Sequence, residues 1–136
     1  MNKVVIRKGL FETSSSSEDS LSVYQDMKLY VLPKDVYNRF VDGEVYVRFG
    51  YGIHPEWTDD VNYVNKTNAE PMKKYNLVRP NDGGLIRGYI FHYTQYLYIS
   101  YSTYWDELNY HYSEFEWFDY EDGDNIIFGY YGYTED

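Results

Sequence analysis

Glu114 and Glu116 stand two positions apart in a run of strand-forming residues, and an acidic turn, Glu121-Asp122-Gly123-Asp124, follows them. In an extended chain alternate side chains share a face and lie about 7 Å apart. That separation falls within the range over which glycosidases place an acid and a base. The same oxygens raise the question of calcium. An EF-hand loop needs Gly at its sixth position and Glu at its twelfth. Counted from Asp119, Gly123 comes fifth and Tyr130 twelfth, so the pattern fails.

His54, His92 and His111 include no pair three or four residues apart, so no helical metal pair exists, although His92 and His111 could meet across neighbouring strands. Ser14 to Ser17 offers hydroxyls without a glycine elbow or an evident base. Neither a P-loop nor a dinucleotide fingerprint occurs. A glycosidase also needs a large cleft, which 136 residues make hard to build. The expectation is therefore no enzyme, no catalytic residue, no cofactor and no metal site, with the charge run forming a surface.

That surface must be positioned by the last quarter of the chain. Residues 101–136 hold ten acids, thirteen aromatics and no Lys or Arg, whereas the rest of the chain balances twelve acids against twelve bases. The formal charge of −10 therefore comes from this quarter. His111 to Tyr120 reads as a strand, Asp122-Gly123 as a two-residue type I′ turn, and Asn125 to Tyr133 as the return strand. Counting back from that turn places Trp117 opposite Phe128, Phe115 opposite Tyr130 and Asp119 opposite Ile126, on a face that looks like core. The other face would carry Tyr112, Glu114, Glu116, Phe118, Ile127, Tyr131 and Tyr133. Residues Tyr112, Glu114, Glu116, Asp119, Glu121, Asp122, Asp124, Tyr131 and Tyr133 are the expected partner-binding set.

The remaining chain reads as the rest of one domain, 1–136. Lys3 to Lys8 is a short strand, Thr13 to Ser20 a Ser-rich loop, and Leu29 to Leu32 a buried strand. Pro33 to about Val41 has helical spacing, with Gly43 at the expected cap. Glu44 to Gly50 alternates, placing Val45, Val47 and Phe49 on one face. Residues 51–57 look like loop. Asp59 to Asn76 suggests a helix with Val61, Val64 and Tyr75 inward and Pro71 interrupting it. Asn81 to Gly84 is a turn, Leu85 to Tyr101 a long strand, and Thr103 a cap for one short turn over 104–108. The sum is an antiparallel-sheet-rich α+β domain with one to three short helices and a C-terminal β-hairpin. Without Cys there is neither a disulfide nor a thiolate metal site. The apolar run Val4-Val5-Ile6 is too short for a signal peptide, and no stretch approaches a membrane span.

Arg7-Lys8-Gly9-Leu10-Phe11-Glu12-Thr13-Ser14-Ser15-Ser16 resembles the opening of a group of small uncharacterised phage-encoded proteins, which carry a Phe-Glu-Thr-Asn-Ser-Ser-Ser-like run. Phe128-Gly129-Tyr130-Tyr131-Gly132-Tyr133 is similar to that group's Gly/Tyr-rich end, and Pro33 to Glu44 to its short helix. The resemblance covers about a third of the chain. It departs at Ser14, where Asn is usual, and at Glu18-Asp19, where the group carries His. It implies a phage accessory protein in the cytoplasm of a bacterial host, and brings no catalytic residues with it. An acidic module in that setting points to an inhibitor that binds a basic, nucleic-acid-binding surface of a host defence protein by acidic mimicry, and to neither direct nucleic-acid binding nor a membrane. The alternatives are a phage structural or assembly protein and a carbohydrate-binding module.

Overall fold

The computed structural model describes residues 23–50, 52–77, 94–112 and 114–135. The strand expected at 3–8, the Ser-rich loop, the turn at 81–84, His92 and most of the strand expected at 85–101 lie outside the described residues.

Five strands and three α-helices are described, and every strand pairing is antiparallel, as expected of an α+β chain with a C-terminal hairpin. The chain divides into two compact units, Met1–Lys34 with Tyr112–Asp136, and Asp35–His111.

The first unit is a three-stranded sheet in the order β1-β5-β4, from β1 (Val23–Pro33), β4 (Glu114–Asp122) and β5 (Asn125–Glu135). β5 lies in the centre and pairs along its whole length with β1, from Val23 opposite Glu135 to Pro33 opposite Asn125. The β4–β5 register differs from the expected one by two residues: Trp117 faces Tyr130, Phe115 faces Gly132 and Asp119 faces Phe128. The cause is the turn. Asp122 pairs with Asn125, which makes Gly123-Asp124 the two-residue loop, with Gly123 at φ +63°. A glycine in the first central position is the type II′ arrangement and asks positive φ of that residue alone. The type I′ alternative would have forced Asp122 into the left-handed region as well.

A two-residue shift leaves each side chain on its face, but which residues are core changes. Phe118 is 1% exposed and Trp117 39%. Phe118 packs with Tyr131, Leu29 and Ile127 on the face expected to carry carboxylates and phenols. It pairs with Gly129, where an added β-carbon would run into the Lys28 carbonyl of β1. On the opposite face Tyr30 packs against Phe128, with ring centroids 5.5 Å apart.

The second unit begins with α1 (Lys34–Val41), whose first residue belongs to the sheet unit. Val36, Tyr37 and Phe40 are its buried residues. It ends as expected on Gly43, at φ +84°, in a Schellman arrangement: Glu44 N–H donates to Arg39 C=O at 2.8 Å and Gly43 N–H to Phe40 C=O at 3.0 Å. β2 (Tyr46–Arg48) keeps the expected alternation, with Val45, Val47 and Phe49 all buried. It pairs with β3 (Glu56–Thr58), a strand that overlaps the end of the 51–57 stretch expected to be loop.

α2 (Val61–Lys74) starts at Asp60, whose Oδ1 accepts from the backbone N–H groups of Asn62 and Tyr63 at 3.0 and 3.1 Å. Val64 is buried, but Val61 is exposed. Pro71 stands inside the helix rather than ending it. The helix closes on Asn76, at φ +57°, with Leu77 N–H donating to Met72 C=O at 2.8 Å and Leu77 itself buried. The described end of the expected 85–101 strand is instead a single 3-10 turn, Thr94–Tyr96, and one bridge between Ile99 and Val47. α3 (Tyr101–His111) is longer than the short turn expected, and Ser100 rather than Thr103 caps it, its Oγ accepting from Thr103 N–H at 3.2 Å. Phe40, Phe49, Tyr101 and Tyr104 form an aromatic core with centroid separations of 5.1–6.5 Å.

Candidate functional site

β4 is the outer strand of its sheet, with β5 as its one neighbour among the described residues. An outer strand shows one row of backbone N–H and C=O groups to whatever approaches. The sequence of this strand, Glu-Phe-Glu-Trp-Phe-Asp-Tyr-Glu-Asp, puts five acids on nine residues. Glu114, Glu121 and Asp122 are exposed, as is Asp124 in the turn, while Glu116 and Asp119 are half-buried. Glu114, Glu116 and Asp122 share one face of the strand, and Asp119 and Glu121 the other. Lys34 Nζ lies 3.2 Å from Glu121 Oε1 at the turn, a solvent-exposed pair of small energetic weight.

Tyr112 and Tyr131 of the expected set do not join these acids at the surface. Tyr131 is 8% exposed and belongs to the Phe118 cluster. Tyr112 is 4% exposed and precedes β4 rather than forming part of it. Its ring lies where a β-carbon on Gly132 would stand, so the absence of a side chain there makes its place. Its hydroxyl donates to Asp26 Oδ2 at 2.7 Å, and its ring lies 5.6 Å from that of Tyr130. Burial, then the hydrogen bond to Asp26, push the Tyr112 phenol well above its ordinary range, and burial does the same for Tyr30. Both stay protonated near neutral pH. Tyr133 pairs with Glu114 and Gln25 through the backbone, and its side chain is not among those described. The accessible set is thus carboxylate-rich, with Trp117 and Tyr120 as the exposed aromatics of β4.

Glu116 sits opposite Tyr131 and two residues from Phe118, and its Oε1 is buried with no hydrogen-bond partner. Glu114 and Glu116 share a face as an acid–base pair would. Among the described residues no group of three or more His, Asp or Glu is placed to hold a metal ion, and no helix is long and apolar enough to cross a membrane.

Two buried polar groups of the second unit were not foreseen. Asn68, on the inward side of α2 four residues after Val64, reads the backbone of Tyr98: Nδ2 donates to Tyr98 C=O and Oδ1 accepts from Tyr98 N–H, both at 2.9 Å. One carboxamide thus stands in for a neighbouring strand. Val47 does the same for the next residue, exchanging two 2.9 Å bonds with Ile99. Glu107, on α3, is 1% exposed, and its Oε1 has no hydrogen-bond partner. Burial, with Asp106 next to it, pushes its carboxyl up to about 7. Helical spacing held the signal for both, since Asn68 follows Val64 by one turn and Glu107 follows Tyr104 by three residues.

No protein-family model, no curated protein and no solved structure matches the chain.

Proposed function

We propose that this protein is a non-enzymatic binding module whose acidic hairpin docks on a basic surface of a host protein, one that otherwise takes the phosphates of a nucleic acid. The observation that supports this reading is the disposition of Glu114, Glu116, Asp119, Glu121, Asp122 and Asp124 along one outer strand and its turn. Nine extended residues span about 27 Å, so five strand carboxylates give roughly one charge per 5 Å. One strand of duplex DNA carries about one charge per 3.4 Å along the axis. A groove of Lys and Arg built for phosphates meets a similar linear charge density here, and complementary fields speed its encounter with the strand. The resemblance to phage-encoded proteins supplies the setting, a host protein that handles nucleic acid.

The charges also weigh against self-assembly through this edge. Two β4 strands paired antiparallel about Phe118 would set Glu114 opposite Asp122 twice, and like charges directly opposite destabilise a pair. A structural role in a phage particle would need another surface.

The test is affinity capture from a bacterial host lysate, followed by kinetics with the recovered protein. Replacing Glu114, Glu116, Asp119 and Glu121 by their amides keeps shape and removes four charges. Binding is expected to weaken at least tenfold, about 1.4 kcal/mol or more. Unchanged affinity would contradict the reading.

A further inference from the structure

The 35–111 unit holds a cleft of about 390 Å³ lined by Arg48, Glu70, Pro71, Lys74, Tyr75 and Tyr96, with Gly50 and Gln95 at one end. We infer that this cleft is a second binding site, separate from the acidic strand, and that it takes a neutral polyhydroxylated ring such as a pyranose.

Its size lies at the lower end of small-ligand sites. Tyr75 and Tyr96 stack with ring planes 19° apart and centroids 5.7 Å apart, and with Pro71 they form an apolar wall. Local backbone geometry holds both rings. Tyr75 is the C-terminal cap of α2, its N–H donating to Pro71 C=O at 2.9 Å. Tyr96 ends the 3-10 turn, which is anchored where Gly50 N–H donates to Gln95 C=O at 2.9 Å.

The polar rim selects the ligand class. Arg48 is already matched, since its Nε donates to Glu56 Oε1 at 2.8 Å and its guanidinium lies over the Tyr98 ring at 4.6 Å. Among the described lining residues that leaves one cation, Lys74, and one anion, Glu70, a turn apart on α2 and both exposed. Lys74 Nζ stands 5.3 Å from the Tyr75 ring centroid. A ligand anion would meet Glu70, and a ligand cation would meet Lys74. Hydroxyl groups both donate and accept, so they suit a rim that carries a carboxylate, an ammonium and a carboxamide together. The C–H face of a pyranose is apolar enough to pack on an aromatic wall.

The experiment is a two-dimensional amide NMR titration of the full chain with methyl β-glucoside, methyl α-mannoside and N-acetylglucosamine, with AMP and choline as charged comparators. The expected result is saturable shifts of the Tyr75, Gln95 and Tyr96 amides by at least one neutral sugar, at millimolar concentration. Tyr75→Ala should weaken that binding at least fivefold. Because that ring also supports its neighbour, Glu70→Ala provides a second variant on an exposed side chain, expected to weaken the same sugar at least threefold while leaving the spectrum otherwise intact. No saturable shift from any of the three sugars up to tens of millimolar, or saturation of these amides by AMP or choline alone, would overturn the assignment.

Discussion

The sheet unit and the 35–111 unit meet the same requirement by different means. Every buried backbone group needs a partner, because an orphaned one costs about 1–3 kcal/mol. In the sheet unit the partners come from register, with β5 bonded on both sides by β1 and β4, and the buried phenol of Tyr112 is anchored by Asp26. Among its described residues the 35–111 unit has only three-residue strands. It completes its core with a side chain, Asn68, in place of a strand, and it buries a carboxyl, Glu107, whose Oε1 has no partner. The difference teaches where sensitivity should lie. Stability should depend on pH through the 35–111 unit, whereas the carboxylates of the proposed docking strand lie on the sheet unit.

The largest expected effect probes the sheet. Phe118→Ala should cost about 3–5 kcal/mol in urea unfolding, as for a fully buried aromatic, whereas Trp117→Ala should cost clearly less because its ring is part exposed. Equal or reversed costs would restore the turn at Asp122-Gly123 as the better description. Asn68→Leu is the counterpart in the other unit. It keeps volume but orphans the N–H and C=O of Tyr98, so roughly 2–4 kcal/mol should be lost. A loss near zero would mean that other groups serve Tyr98.

Glu107 sharpens the contrast through pH. Its carboxyl rises from the ordinary 4.5 to about 7 in the fold. Between those values the native state keeps a proton that the unfolded chain has released, so stability should fall as pH rises through that window and level off above it. The difference corresponds to about 3 kcal/mol. Glu107→Gln should therefore be neutral near pH 4 and more stable than the parent by roughly that amount at pH 8. Parallel stability curves for parent and variant would show that Glu107 ionises in place without penalty. The smallest expected effect is at the start of α2, where Asp60→Ala should cost about 1 kcal/mol through the two lost cap bonds.

Much of this was legible where a local rule acts alone. The 44–50 alternation and the Gly43 cap are set by period and by positive φ, and both appear as expected. The hairpin was legible too, but its turn was not. Asp122-Gly123 and Gly123-Asp124 are both turn dipeptides, and the choice rests on which residue must take positive φ. The register followed that choice, and with it the relative burial of Trp117 and Phe118. Tertiary partners account for the other differences. The 97–99 segment has strand-like residues but forms one bridge, because Asn68 occupies the place a second strand would take. Tyr112 and Tyr131 read as surface phenols because composition does not reveal that Gly132 makes room for one ring and that Phe118 packs on the other. Of the β4 carboxylates, Glu114, Glu121 and Asp122 are exposed as charge on an outer strand should be, whereas the half-burial of Glu116 and Asp119 was not legible from composition.

The central claim is that this acidic strand recognises its partner through charge, and the most direct test is the association rate of the parent protein with the captured host protein as salt is raised. Screening shortens the Debye length from about 10 Å at 0.1 M to about 3 Å at 1 M, so the account predicts a steep fall in association rate with little change in dissociation. An association rate that stays flat across that range would contradict it.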